Sequence, residues 1–406
     1  MVTANGSKDE AASTSGEIGG EITFLSISGE FTGTTGPSIY EAAKSFEELH
    51  PGTKVNIETI ATTEIVSKFT TAALAGAGPD IVSLDNSGWP INMAAMGLLV
   101  PLTDYIENSE NPYLQGPLNS GKYEDEYYAV PWYYNNTGLY YNKAILSEIG
   151  YDEPPKDWEE LEDCVKKASE LGYTAITTRL DGYHVFNFFM AQGNPVIDTT
   201  GEVPVVTVNN ESGKIAFNYY AGLQAKYNAF PESMKEATSW DKAYIPFIQG
   251  KALFLICGDW AYVNVKKGNP DLEFGIAPMP KGAVQASCLG GYDICINKNS
   301  KNVATAWAFV EYLTGKECDY IMISVGRVPG RSDVDTSVLL ENNPDFQVFI
   351  DNGPITVPRP LVVNASKVDE LVSDAFSKVL FGMSAPQAAL DELEADLNEF
   401  VAENYL

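Results

Sequence analysis

The chain has 406 residues, with 55 acidic against 26 basic side chains and a formal net charge of −29 at pH 7. That surplus excludes the basic face on which nucleic-acid binding depends and a polybasic patch for anionic membranes. Apolar residues make up 45%, and Tyr, Phe and Trp number 22, 18 and 6, so the chain buries a large core, is ordered over most of its length, and has the size of two or three domains or one two-lobed protein.

Residues 2–20, VTANGSKDEAASTSGEIGG, are small and polar and read as a flexible leader. No signal peptide stands in the sequence. Met1 reads as the start of a trimmed chain. A polar spacer of this kind follows the lipid-anchored cysteine of many bacterial surface proteins; an ordinary disordered terminus fits these residues equally well.

EITFLSI (21–27) predicts a strand. Ile39, Ala42, Ala43, Phe46 and Leu49 recur at helical spacing behind Pro37, and His50-Pro51-Gly52 stops that helix, which makes His50 a helix-end residue. KVNIETI (54–60) and IVSL (81–84) predict strands on either side of a helix carrying Ile65, Phe69, Ala72 and Ala73. Strand and helix alternating over short connections is the pattern of an α/β sheet. No apolar run reaches the roughly 18 residues of a membrane helix. The longest, 89–102, is broken by Pro90, Asn92, Gly97 and Pro101.

LYYN (139–142), YTAITT (173–178), ALFLI (252–256), FGIA (274–277) and YDICI (292–296) predict further strands. Asp157 caps a helix, Glu160 completes a capping box, and Trp158, Leu161, Val165, Ala168 and Leu171 form the apolar face. Helices are expected near 183–192 and 212–227. Asn299 or Ser300 caps another, which carries Ala304, Trp307, Ala308 and Tyr312, and the last carries Ala389, Leu393, Leu397 and Phe400. Two α/β blocks follow, each with its own core. Between them, YEDEYYAVPWYYNNTGLYY (123–141) holds seven tyrosines and Trp132. A ligand surface accounts for that density better than strand packing does.

No GxSxG elbow, HExxH pair, Walker loop or EF-hand loop occurs, and no His stands at zinc-ligand spacing, so no metal and no cofactor is expected. Cys164, Cys257, Cys288, Cys295 and Cys318 form no CxxC pair and read as buried free thiols. Histidine catalysis would rest on His50 or His184, and both read as structural. A paired-acid glycosidase would draw on Glu30, Asp181, Asp259 and Asp293, although most acids lie on solvated helix faces such as EELED and DELEAD.

PWYYNNTGLYYNKAILSEIG (131–150) resembles the signature of the family 1 extracellular solute-binding proteins of bacterial ABC importers, with Pro131, Gly138, Leu139, Tyr140, Tyr141, Asn142 and Leu146 in the matching places. FEELHPGTKV, AALAGAGPDIVSLDNSGW, FIQGKALFLICGDW, APMPKG, LGGYDICINKNSKNVATAWAFVEYLTG and GRVPGRSD follow that family in order. The resemblance spans about residues 20–400. It implies an α/β, two-lobed periplasmic-binding-protein-like fold, similar to maltose-binding protein. Each lobe is a sheet flanked by helices, and a hinge with several chain crossings, near Pro131, Pro278–Pro280 and Gly315, joins them. Lobe one is then 21–131 with 278–315, and lobe two 132–277 with 316–406.

The same resemblance implies no enzyme. It implies a monomer outside the cell, lipid-anchored in its full-length form, that binds a carbohydrate (most often an oligosaccharide) between the lobes and delivers it to membrane permease subunits. A sugar presents hydroxyls around an apolar C–H face, so rings for stacking and polar groups for hydroxyls belong in the loops after strands. Trp260 follows ALFLI through Gly258-Asp259 and resembles the family's stacking Trp. Trp89 follows IVSL, Tyr134 and Asn135 lie in the crossing segment, and Asp181 and Tyr183 follow YTAITT. Tyr292, Asp293 and Arg327 lie in the second crossing and the Gly-x-x-Pro-x-Arg piece, Glu30 and Phe31 follow the first strand, and Trp240 completes the set. Trp158 and Trp307 read as core. A polyamine carrier and a glycoside hydrolase are the rival readings; the former would want several cleft carboxylates and fewer tryptophans.

Overall fold

Runs of β-branched and aromatic residues become strands, and segments with apolar residues every three or four positions become the helices between them. The structure, a computed structural model, describes residues 17–27, 38–236 and 240–406, without the side chains of 235–241 and 342. The principal strands are β1 (Gly20–Ile27), β2 (Thr53–Ile60), β3 (Ile81–Asp85), β4 (Val130–Asn142), β5 (Thr174–Thr177), β6 (Ala252–Gly258), β7 (Phe274–Pro278) and β8 (Ser287–Ile296). The principal helices are α1 (Ile39–Leu49), α2 (Thr62–Leu74), α3 (Trp89–Ala95), α4 (Trp158–Glu170), α5 (Gly182–Ala191), α6 (Glu211–Tyr227), α7 (Val303–Leu313), α8 (Ala365–Leu380) and α9 (Pro386–Tyr405).

The strands hydrogen-bond in the order β2-β1-β3-β8-β4-β6-β5, and β7 also pairs with β4. β1 is parallel to β2 and β3, and β6 is parallel to β5, whereas β8 runs antiparallel to β3 and β4, and β4 antiparallel to β6. One buried cluster joins Phe24, Phe46, Phe69, Leu84, Trp132, Ile294 and Phe309. A second joins Val165, Ile176, Phe189, Phe217, Ile256, Phe376 and Leu393. A third, with Tyr140, Tyr244, Phe247, Leu255, Phe274 and Phe349, covers the other face of β6. Phe254 and Ile256 of that strand belong to the second cluster, and Leu255 and Cys257 to the third. The two-residue period of a strand thus puts helices on both of its faces. The result is a two-lobed α/β protein.

The chain changes clusters along β4. Val130–Asn136 pairs with β8, while Thr137–Asn142 pairs with β6 and β7. It changes again inside β8, where Cys288 packs in the second cluster, Leu289 in the third, and Tyr292 and Ile294 in the first. A third change falls between Met322, in the first cluster, and Val328, in the third. Val328–Pro329 pairs with Tyr134 and Tyr133 of β4, so the three passages lie side by side.

Several local expectations are corrected. The strand expected at 139–142 begins at Val130, and that expected at 292–296 begins at Ser287. Within the ring-rich segment, Trp132, Tyr133, Tyr134 and Tyr140 are all buried in the clusters. Glu160 closes its box on the backbone N–H of Lys156 instead of the cap residue, at 2.8 Å, while Asp157 accepts from Glu160 as expected. Asn302 is the N-cap of α7; the Ser300 hydroxyl goes to Asp80 and the Asn299 amide to Ala73. His50 ends α1, against Phe46. Trp307 is buried, and the half-buried Trp158 stacks on Tyr219 at 4.1 Å. All five cysteines are free and buried. No helix among the described residues is long and apolar enough to cross a membrane.

Candidate functional site

The three passages bring the strand-end loops of both lobes to one place. β5 ends at Thr177, and Asp181 then caps α5 by accepting the His184 backbone N–H at 3.3 Å. This cap starts the helix one turn before the buried Phe186 and Phe189, and it sets Tyr183 in the first turn, facing β4. The Tyr183 hydroxyl donates to Asn135 Oδ1 at 3.1 Å. Against the same ring stands Trp260, with centroids 5.4 Å apart. Trp260 reaches this position because Gly258 lacks a side chain: a Cβ there would lie 2.1 Å from the indole. Asn135, Tyr183 and Trp260 thus form one contiguous row.

A second row starts from β8. Tyr292 stacks on Tyr133, centroids 5.7 Å apart and planes at 24°. The Arg327 guanidinium lies 5.8 Å from the Tyr133 ring and pairs with Asp259 at 3.2 Å. Arg327 and Asp259 are both buried. Burial first, then the Asp259 carboxylate, pushes the neighbouring Tyr134 phenol up to about 12.

Trp89 opens α3, is half-buried, and donates its Nε1–H to Ser366 Oγ of α8 at 3.3 Å. Asp181 is engaged beyond its cap: Oδ1 meets His184 Nδ1 at 2.5 Å and Oδ2 meets Arg179 Nε at 3.3 Å. Burial favours its neutral form, but His184, with Arg179 and Arg359, outweighs burial and holds the carboxyl below its ordinary range. Asp293 stands apart from both rows. It is buried on β8, and Oδ2 lies 3.0 Å from the equally buried Ser120 hydroxyl. Burial, reinforced by the Asp85 carboxylate, pushes it up to about 8. Glu30 and Phe31 lie outside the described residues, and Trp240 begins a helix with its side chain outside them.

Sequence reasoning missed Arg359. Its guanidinium lies 5.6 Å from the Tyr183 ring, opposite the acids Asp85 and Asp369. Burial disfavours its charge, but those carboxylates outweigh burial and raise its affinity for the proton. A signal existed: the chain has only four arginines, Arg179, Arg327, Arg331 and Arg359. Each pairs with a carboxylate. In so acidic a chain a planar, permanently charged donor marks a fixed polar site.

Chemically, the two rows offer flat rings beside an amide and a guanidinium, at the strands that join the lobes. The three described acids a glycosidase would use, Asp181, Asp259 and Asp293, are engaged with His184, Arg327 and Ser120.

The galactooligosaccharide-binding protein of Bacillus subtilis (strain 168) is 23% identical over 410 residues, covering 96% of this chain and 92% of that protein. The arabinooligosaccharide-binding protein of Halalkalibacterium halodurans is 23% identical over 332 residues, covering 77% and 73%. The GacH receptor of Streptomyces glaucescens, solved unliganded and with acarbose and an acarbose homolog, matches with a TM-score of 0.80 and 26% identity over 96% of this chain and 100% of that one. A bacterial extracellular solute-binding protein family profile matches residues 32–317, well over half of the length, and the chain therefore belongs to that family.

Proposed function

We propose that this protein captures an oligosaccharide between its two lobes and delivers it to the membrane permease of an ABC importer, without a cofactor and without chemical change to the sugar. The observation that carries this reading is the row Asn135, Tyr183 and Trp260 on the strand passages. The rings suit the C–H face of a sugar, and the amide with Arg327 and Arg359 suits its hydroxyls. Trp89 and Tyr292 extend the surface into lobe one, and Glu30, Phe31 and Trp240 remain further candidates. Tyr134, Asp181 and Asp293 act behind it, as packing, cap and buried support. The relatives named for oligosaccharides favour the same ligand class.

The lobes divide, on this reading, at β4, inside β8 and near Arg327, which moves the second and third passages from Pro278–Pro280 and Gly315. Solute touching both lobes shifts the population toward the closed form, which the permease then recognises. The protein works as a monomer outside the cell, held by a lipid anchor, and binds no nucleic acid.

Incubation with maltotriose, arabinotriose, galactotriose and mannotriose tests the proposal. At 100 times its dissociation constant a ligand adds about 2.7 kcal/mol of stability. The expected result is a raised melting temperature with one or more sugars and unchanged sugar on chromatography. Shortened sugar would establish a hydrolase. A melting shift with spermidine alone would establish a polyamine carrier.

A further inference from the structure

Helix α5 is joined to β4 and β8 on two rungs. The first rung belongs to the candidate row. Tyr183 donates to Asn135 Oδ1. Gly290, opposite Asn135 in the strand register, leaves room for both, since a Cβ there would lie 2.3 Å from Asn135 Oδ1 and 2.7 Å from Tyr183 Cε2. The second rung is one step further along all three elements: Asn187, Thr137 and Cys288. Asn187 follows Tyr183 by four residues in the helix, Thr137 follows Asn135 by two, and Cys288 precedes Gly290 by two on the antiparallel strand. Each of those steps returns its element to the same face. They also match in length, at about 6 Å along a helix and about 7 Å along a strand.

The second rung is a closed hydrogen-bond set. Asn187 Nδ2 donates to the carbonyls of Tyr183 and His184, both at 3.1 Å. Asn187 Oδ1 accepts from the Thr137 hydroxyl and from the Cys288 backbone N–H, the latter at 2.9 Å. Asn187 is 2% exposed, and Thr137 and Cys288 are 0% exposed. Both donors of the amide and both lone pairs of its oxygen are in use, so an aliphatic side chain of similar outline cannot take its place.

We propose that Asn187 is a positioning residue for solute binding, holding the first turn of α5, and with it the Tyr183 ring, over β4 and β8. The proposal deepens the oligosaccharide reading and rests on it. One hydrogen bond from the Tyr183 hydroxyl leaves the helix turn free to pivot about Asn135; a second rung one turn away removes that freedom. Trp260 lies against the same ring, so a single buried amide orients both rings from behind. A ring held by the fold loses little freedom when a sugar stacks on it, which favours binding.

The test uses protein carrying 5-fluorotryptophan, in which Trp260→Phe and Trp307→Phe assign two fluorine resonances, together with calorimetry of maltotriose, arabinotriose, galactotriose and mannotriose. Asn187→Leu keeps the outline and removes the amide. The Trp260 resonance should shift or split while that of Trp307, in the first cluster, stays in place. Sugar affinity should fall by about tenfold or more, as when a group that orients a ligand-holding residue is lost. Thr137→Val takes one donor from the rung and should act in the same direction, and Thr137→Ser, which keeps the hydroxyl, should restore the parent's resonance and affinity. Should Asn187→Leu fail to fold, the two Thr137 variants decide alone. An unmoved Trp260 resonance, an undiminished affinity, or a Thr137→Ser variant that behaves like Thr137→Val overturns the proposal. If no sugar binds the parent, the carbohydrate reading fails, and the fluorine resonance still decides whether Asn187 holds the rings.

Discussion

The Tyr183 hydroxyl donates to Asn135 Oδ1 at 3.1 Å, and this one bond ties the first turn of α5 to the strand that passes between the lobes. The same ring lies 5.4 Å from the Trp260 ring and 5.6 Å from the Arg359 guanidinium. Tyr183→Phe keeps the ring and leaves a buried amide oxygen without its donor. The expected loss is about 1–3 kcal/mol of unfolding free energy, read from urea denaturation. An unchanged midpoint would mean the bond is not maintained in solution.

Asp293 should make the protein less stable as the solution becomes alkaline. Its folded value is raised to about 8, so between the unfolded carboxyl range near pH 4 and pH 8 the folded state holds more protons than the unfolded one. Stability contributed by this group is full below that window and declines across it. The geometry agrees. The Ser120 hydroxyl is shared between Asp293 Oδ2 at 3.0 Å and the Pro117 carbonyl at 2.5 Å, so it offsets only part of the burial. Asp293→Asn supplies a donor at every pH, so it should remove this slope and raise stability at pH 7. Urea midpoints at pH 5, 6, 7 and 8 for both proteins decide the matter; parallel curves would refute it.

Arg327 and Asp259 form a buried pair, so truncating one removes an ion pair from the buried charge of the other. Arg327→Met should cost about 3–5 kcal/mol, and the double variant Arg327→Met with Asp259→Leu should recover much of that loss. Equal stability of the single and double variants in chemical unfolding would show that the pair is not coupled.

The thiols should be silent in the native protein. All five are buried, and burial raises Cys164 to about 12 and Cys318 likewise, far from the thiolate that reacts. Native protein treated with a maleimide should keep its mass, and protein in urea should gain five adducts. Rapid native labelling, or fewer adducts in urea, would contradict the burial or reveal a disulfide.

Much of the architecture was legible because its cues are local. The strands β1, β2 and β3 and the helices between them follow from short apolar runs and helical spacing, and Asp157 and Asp181 sit where caps are needed. β4 was legible only at its end. Pro131, Asn135, Asn136 and Gly138 are poor strand formers, and the extended conformation there is imposed by β8, β6 and β7, which arrive more than a hundred residues later. Ring density alone does not separate a ligand surface from packing, and Trp132 and Tyr140 lie inside two cores that share one strand. Arg359 escaped notice because its cross-lobe partner Asp85 is 274 residues away. No spacing rule reaches that far. Trp260 follows the Gly-Asp turn at the end of an apolar strand, and its ring lies so close to Gly258 that a Cβ there would be 2.1 Å from the indole.

The central claim is that a sugar binds on the row containing Trp260, and titration calorimetry tests it most directly. Maltotriose, arabinotriose, galactotriose and mannotriose are titrated into the wild-type protein and into Trp260→Ala. At least one sugar should bind the wild type saturably. The variant should then bind it more weakly by roughly 2 kcal/mol or more, as truncation of a central aromatic contact does. Silence with every sugar in the wild type, or an affinity that Trp260→Ala leaves untouched, would contradict the account.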